Sequence, residues 1–335
     1  MLIPILLLLV GFAILIKGAD FLVNGASSAA KKYGISNLAI GLTVVAFGTS
    51  MPELIVSLVS ALDGKSDASF GNVIGSNNFN LLFILGVAGL IYPLMVQQNT
   101  IKYEVPLSFL AAAVLYVLVN DTMLWGTPPF TEGTVTYEGV LSRFDSFILL
   151  LFFVAFIIYI YRTMRTSSDI EEGEPIKLYS TPMAIGMSLL GLVMLIGGGE
   201  LVVDNAIKIA QAYHLSEKLI GLTILAAGTS LPELATSCVA AYKRNTDIAI
   251  GNVVGSNIFN IFFILGITGT IHPIPYNIAM NFDLQVLAAS TVILMIFMFT
   301  LNTRKLDRWE AFILLSLYVM YTTYLITNDA GIVQP

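Results

Sequence analysis

Along the 335-residue chain, long apolar runs alternate with short polar breaks. The runs fall near residues 2–24, 38–62, 71–93, 103–120, 144–162, 182–204, 217–241, 251–271, 283–301 and 309–327. Each is long enough to carry a helix across a hydrocarbon layer, which takes about 20 apolar residues. Barrel strands are excluded, because they would show segments of about ten residues with strict alternation instead of continuous apolar runs. The pattern predicts an all-α membrane protein of ten transmembrane helices.

The ten runs form two sets of five. Residues 41–54 read GLTVVAFGTSMPEL and residues 221–234 read GLTILAAGTSLPEL, while 71–80 read GNVIGSNNFN and 251–260 read GNVVGSNIFN. Eighteen of these 24 paired positions are identical at a constant offset of 180, which marks an internal duplication. The same offset pairs Gly18 with Gly198, Asp20 with Glu200 and Pro93 with Pro273. Past residue 140 the offset falls to 165, where RFDSFILL at 143–150 resembles RWEAFILL at 308–315, so the first half carries about 15 extra residues in its last loop. The expected organisation is a first five-helix repeat over residues 1–162, a linker over 163–181, and a second repeat over 182–335. Five is odd, so the second repeat enters the membrane inverted, as in secondary transporters. The first run lacks a basic start and a small-residue cleavage site and has an internal counterpart, so it is expected to remain as a helix and not act as a signal peptide.

Composition sharpens this. Hydrophobic residues make up 56% and charged residues 11%, against about 25% charged in soluble domains, so no large soluble domain fits. No basic face for nucleic acid is present, and the single cysteine, Cys238, excludes an internal disulfide. Cys238 has Leu58 as its counterpart and is expected to serve packing. Two histidines, His214 and His272, are too few for an imidazole metal site. The net charge of −6 matters less than where the bases lie. Placing the amino terminus outside puts Lys31, Lys32, Lys102, Arg162, Arg165, Lys177, Lys243, Arg244, Arg304, Lys305 and Arg308 in the cytoplasm, against Lys65, Arg143, Lys208 and Lys218 outside. The positive-inside rule then places both termini outside a plasma (inner) membrane and the linker in the cytoplasm. The acidic stretch Asp169 to Glu174 in that linker is expected to be a solvated connection rather than a calcium sensor.

The scarce charge includes a carboxylate in the middle of two spans, Glu53 in GTSMPEL and Glu233 in GTSLPEL. An ionisable group at that depth costs several kcal/mol and marks a functional site by default. Thr49, Ser50 and Ser57 share a helix face with Glu53, as Thr229, Ser230 and Ser237 do with Glu233. Pro52 and Pro232 lack an N–H and are expected to break their helices, freeing carbonyls over 46–48 and 226–228. On the third and eighth spans Asn72, Ser76 and Asn80, and Asn252, Ser256 and Asn260, are spaced by four. Asn72 and Asn252 are expected to bond between helices, and the deeper Asn80 and Asn260 to ligate ions. The set is all oxygen, which suits hard cations and above all Ca²⁺, with its six to eight oxygen ligands. Two carboxylates balance one divalent or two monovalent cations, so Ca²⁺ and Na⁺ would compete for one cluster. Asp20 and Glu200 are expected to be helix-end charges facing water.

These motifs resemble the paired alpha repeats of the sodium/calcium exchanger family of the calcium/cation antiporter superfamily, and the resemblance covers essentially the whole chain. It implies ten helices, alternating access in which the first and sixth helices slide past the other eight, and exchange of several Na⁺ for one Ca²⁺. Carried over by motif, Glu53 and Glu233 bind both ions. Thr49, Ser50, Thr229, Ser230, Ser76 and Ser256, with the carbonyls of Ala46 and Ala226, complete the ion positions. Potassium-dependent members carry aspartate where this chain has Asn260, so the resemblance implies potassium independence. Calcium/proton antiporters of the superfamily show a GN-A-x-EL pattern in place of GTS-x-PEL, which makes Ca²⁺/H⁺ exchange the second reading.

The sequence expectation is therefore an electrogenic Na⁺/Ca²⁺ antiporter and not an enzyme: no histidine or lysine lies beside Ser50 or Ser230 to act as a base. It needs no cofactor beyond the transported ions, and its surroundings are the lipid bilayer, with no nucleic acid and no obligate protein partner. A cation channel or a passive calcium-binding membrane protein is the alternative of a different class.

Overall fold

A computed structural model describes residues 2–120, 123–124, 126, 130–132, 135–137, 139–164, 177–213, 226–300 and 304–330. The acidic linker stretch 169–174 and the start of the expected seventh span lie outside the described residues. In chain order the helices are α1 (Leu2–Tyr33), α2 (Asn37–Thr49), α3 (Met51–Leu62), α4 (Ser66–Ile91), α5 (Thr100–Val119) and α6 (Arg143–Thr163). The second half holds α7 (Thr181–Ala212), α8 (Ala226–Gly228), α9 (Leu231–Tyr242), α10 (Thr246–Ile271), α11 (Ile278–Phe297) and α12 (Arg308–Ala330). Among the described residues eight helices are long and apolar enough to span a membrane, and α2 with α3 makes one more span bent by 46°. Its counterpart is described from Ala226 onward, as α8 and α9. The protein is a multi-pass α-helical membrane protein.

Several helices outrun their apolar runs. α1 and α7 are 32 residues each, because the run marks the stretch inside hydrocarbon and nothing in the next turns stops the helix. For α1 the stop is Gly34 at φ +64°, a left-handed position that glycine takes without strain. The turn between α3 and α4 uses Gly64 at φ +71°, and its counterpart 180 residues on is Arg244 at φ +58°, so the duplicated turn keeps its shape even without glycine.

α4 and α10 form the centre. Within their membrane windows 72% and 94% of residues are buried, against at most 39% in the other six unbroken spanning helices. The outer helices present Leu, Ile, Val and Phe outward, as lipid contact requires. α1 and α7 lie antiparallel along one another and make backbone-close contact. A Cβ at Gly18 would stand 2.9 Å from the Gly191 oxygen, one at Gly25 2.6 Å from the Ala184 oxygen, and one at Gly198 3.0 Å from the Leu15 nitrogen. Only small residues allow such an approach.

The duplication reappears in the strands. β1 (Leu94–Met95), β2 (Phe130–Glu132), β3 (Val135–Tyr137), β4 (Gly139–Leu141), β5 (Ile274–Tyr276) and β6 (Lys305–Leu306) pair as β1 with β6, β2 with β3 and β4 with β5. Leu94 faces Leu306 and Leu141 faces Ile274. These two pairs exchange under the offsets of 180 and 165, so each repeat closes on the other. The β2–β3 hairpin lies in the extra residues of the first half.

Candidate functional site

The α2–α3 span breaks at Ser50 (φ −84°, ψ 8°), and its counterpart at Ser230 (φ −90°, ψ 9°). Pro52 and Pro232 follow two residues later. Neither offers an N–H, so the carbonyls of Gly48 and Gly228 have no helical donor four residues on. The expected freeing of carbonyls back to Ala46 is not what happens. The Ala46 carbonyl accepts from the Ser50 N–H at 3.0 Å and lies 3.3 Å from the Thr49 hydroxyl. The break falls after one last helical bond, not before it. Ala226 opens α8 at the equivalent point.

The break turns Glu53 and Glu233, both 0% exposed, toward the opposite repeat. Ser50 Oγ donates to Glu233 Oε1 at 2.8 Å, and Ser230 Oγ donates to Glu53 Oε1 at 2.9 Å. Ser76 and Ser256 stand 3.4 Å from the same Oε1 atoms, of Glu53 and Glu233 respectively. Each glutamate therefore has one oxygen held by hydroxyls. The other, Oε2, is buried without a hydrogen-bond partner in both. Among the described residues no lysine, arginine or histidine pairs with either carboxylate.

Asn72 and Asn252 bond between helices, as their spacing suggested. Asn72 Nδ2 donates to the Glu53 carbonyl at 3.1 Å and to Ser57 Oγ at 2.9 Å; Asn252 Nδ2 makes the matching bonds to Glu233 and Ser237 at 3.3 and 3.0 Å. Their Oδ1 atoms lie 3.3 Å from the Thr229 hydroxyl and 3.1 Å from the Thr49 hydroxyl. Ser57 and Ser237 are thereby drawn to the amides and away from the carboxylates, although sequence spacing put them on the same face.

Asn80 and Asn260 enter π-helical turns, Phe79–Ile84 and Phe259–Leu265. Each donates its Nδ2 across the repeat boundary, Asn80 to Asn257 Oδ1 at 3.0 Å and Asn260 to Asn77 Oδ1 at 2.9 Å. Their own Oδ1 atoms are buried and unpartnered, like the Oε2 atoms of the glutamates. Sequence spacing missed Asn77 and Asn257, which lie off the i, i+4 stripe. Their identity in both repeats was the available signal.

Four buried acceptors, two of them carboxylate oxygens, thus sit without donors on two repeat-related helix pairs. Leaving such groups unmet costs about 1–3 kcal/mol each, and more for charged ones. A hard cation is the partner their chemistry fits.

The surroundings are less symmetric. A cavity of ≈ 210 Å³ lies between α7, α3 and the α8–α9 break, lined by Glu200 and Asp204 and reaching Pro52, Gly228, Thr229 and Pro232. At the equivalent place in the other half, α1 packs along α9. There Lys243, in the turn between α9 and α10, binds Asp20 and donates to Asn24 Oδ1 at 2.7 Å. Asp20 and Glu200 are therefore not at helix ends, since α1 and α7 continue well past them; Asp20 is held by Lys243 and Lys17, while Glu200 is exposed on the cavity. Cys238 is a free, half-buried cysteine in α9.

A family model described as sodium/calcium exchanger protein matches residues 3–162 and 183–327. The chain belongs to the sodium/calcium exchanger family. It is 32% identical to the sodium/calcium exchanger MaX1 of Methanosarcina acetivorans, over 96% of this chain and 97% of that protein. It is 38% identical to the inner membrane protein YrbG of Escherichia coli K12, over 82% of this chain and 81% of that one. The fold matches the sodium-calcium exchanger NCX_Mj soaked with zero Na⁺ and Ca²⁺, with a TM-score of 0.78 and 31% identity over 96% of this chain and 98% of that one. As a member of this family the chain is a transporter and not an enzyme.

Proposed function

We propose that the chain is an electrogenic, potassium-independent Na⁺/Ca²⁺ antiporter of the inner membrane, with both termini outside. One observation carries the reading: two fully buried carboxylates, related by the repeat, each keep one oxygen free of any donor and have no basic partner among the described residues. Glu53 and Glu233 supply two negative charges, enough for one Ca²⁺ or two Na⁺. Ser50, Ser230, Ser76, Ser256, Thr49 and Thr229, the amide oxygens of Asn80 and Asn260, and backbone carbonyls at Ala46 and Ala226 complete an all-oxygen shell. Because the ions need the same carboxylates, one must leave before the other enters, and this competition couples the fluxes. A third Na⁺ would leave the site positive, so each cycle would move charge, worth about 2.3 kcal/mol per 100 mV. α1 and α7, held together through their glycines, are the natural unit to move against the helices that carry the site.

The test is ⁴⁵Ca²⁺ uptake into reconstituted vesicles with Na⁺, K⁺ and H⁺ gradients varied separately. Uptake should require an outward Na⁺ gradient, ignore K⁺ and respond to an imposed potential. Uptake driven as well by a proton gradient in the absence of Na⁺ would replace this reading with Ca²⁺/H⁺ exchange. Calcium flux that never runs against its own gradient would indicate a channel.

A further inference from the structure

The four asparagines at the centre form a chain of orientation. An asparagine side chain can present either its oxygen or its NH₂ to a site, and only the oxygen can hold a cation. A backbone carbonyl has no such freedom. Asn77 Nδ2 donates to the Asn257 carbonyl at 3.2 Å, and Asn257 Nδ2 to the Asn77 carbonyl at 3.3 Å, so a fixed acceptor sets the orientation of each. With its NH₂ committed, Asn77 must turn Oδ1 the other way, where it accepts from Asn260; Asn257 does the same for Asn80. The NH₂ groups of Asn260 and Asn80 are thereby held back, and their Oδ1 atoms remain the unpartnered ends. All four side chains are at most 1% exposed, so no solvent can take over these bonds.

We propose that Asn77 and Asn257 are positioning residues that fix the ligand-facing end of an asparagine in the opposite repeat, Asn77 acting on Asn260 and Asn257 on Asn80. The inference rests on the reading of Asn80 and Asn260 as cation ligands. It assigns a direction of action that packing alone would not produce. Asn77 lies three residues from Asn80 on its own helix, yet its Oδ1 accepts from Asn260.

The experiment is a set of double-mutant cycles on the full-length protein in vesicles, reading the half-saturating Ca²⁺ concentration of Na⁺-driven ⁴⁵Ca²⁺ uptake, with the Ca²⁺-induced thermal shift as a second readout. N80A and N260A alone should each raise that concentration, which tests the ligand reading by itself. N77L, of similar volume but without an amide, should raise it about tenfold. N77L combined with N260A should be no worse than the more severe single variant, because Asn260 is the residue through which Asn77 acts. N77L combined with N80A should show the product of the two single effects. N257L should give the mirror pattern. Full multiplication in the N77L/N260A pair would overturn the positioning role, and unchanged affinity in N80A and N260A would overturn the ligand reading beneath it. If N77L does not fold, judged by thermal unfolding in ion-free buffer, N77A takes its place in the same cycles.

Discussion

Ser50 Oγ reaches across the repeat boundary to Glu233 Oε1 at 2.8 Å, and not to Glu53, three residues along its own chain. The repeat returns the bond from Ser230 to Glu53 at 2.9 Å. Each carboxylate is thus oriented by the other half of the molecule, which ties the two helix breaks into one unit. A hydrogen bond to a charged group is worth about 1.5–3 kcal/mol, or roughly ten- to a hundredfold in affinity. Ser50→Ala and Ser230→Ala should each raise the half-saturating Ca²⁺ concentration for uptake by at least about tenfold. Ser57→Ala, whose hydroxyl serves Asn72, should stay within about twofold.

Neutralising a carboxylate separates its two roles. Glu53→Gln and Glu233→Gln keep size and one acceptor but remove a buried charge that has no basic partner among the described residues. Exchange should be abolished in both. Stability in ion-free detergent should not fall, because the substitution removes an uncompensated charge. The rise in melting temperature that Ca²⁺ gives the parent protein should disappear, since ligand stabilisation scales with RT ln(1 + [L]/Kd). Near-normal transport by either variant would sink the two-carboxylate model.

The sequence reading placed residues at the buried centre where periodicity and duplication spoke for the same residue. Glu53 and Glu233 were visible because a mid-span carboxylate is costly, and its exact repetition removed chance. It went astray where partners come from the other repeat. Ser57 shares a face with Glu53, yet Asn72 claims it. Asn77 sits about 100° from the Asn72–Ser76–Asn80 stripe, and only the facing helix gives it a purpose. The Ala46 carbonyl looked free because proline was counted back over a whole turn, but only the Gly48 carbonyl loses its donor outright. The inequality of the two faces was also unreadable, since residues 180 apart differ there by single side chains whose contacts depend on how the repeats are tilted.

The glycines between α1 and α7 make a stability test with a neighbouring control. A Cβ at Gly198 would lie 3.0 Å from the Leu15 nitrogen and 3.2 Å from the Gly11 oxygen, both backbone atoms that cannot step aside. Gly198→Ala should therefore cost about 1–3 kcal/mol through overpacking. Gly197, the preceding residue, meets nothing within 4 Å. Gly197→Ala should be neutral or slightly stabilising, because alanine favours a helix by about 1 kcal/mol over glycine. Thermal unfolding of the two variants in detergent decides the matter; equal losses would refute the close contact.

Lys243 binds Asp20 and Asn24 of α1, while the residues related to these three by the repeat are Asp63, Glu200 and Asp204. One half thus has a cation between two acceptors where the other lines its cavity with two acids, Glu200 and Asp204, while Asp63 pairs with Lys65 at 3.5 Å. Asn245 adds a bond to Ser27 of α1 at 2.9 Å, so the turn between α9 and α10 is fastened to α1 at three residues. The Lys243 contacts are part-exposed and together contribute about 1–2 kcal/mol. Losing them should shift the balance between the two faces about five- to thirtyfold. The expected sign is toward opening beside α9, because the Lys243 bonds fasten α1 to the end of α9. In a Cys238→Ala background, a cysteine at Thr236, buried in α9 about two turns before Lys243, should react with a water-soluble thiol reagent faster by that factor when Lys243→Ala is added. A cysteine at Val56, its repeat counterpart lining the cavity, should react more slowly. Lys243→Arg should restore both rates, since it returns the charge to Asp20. Rates unchanged by Lys243→Ala would show that helix packing, and not this ion pair, keeps the α1 side closed.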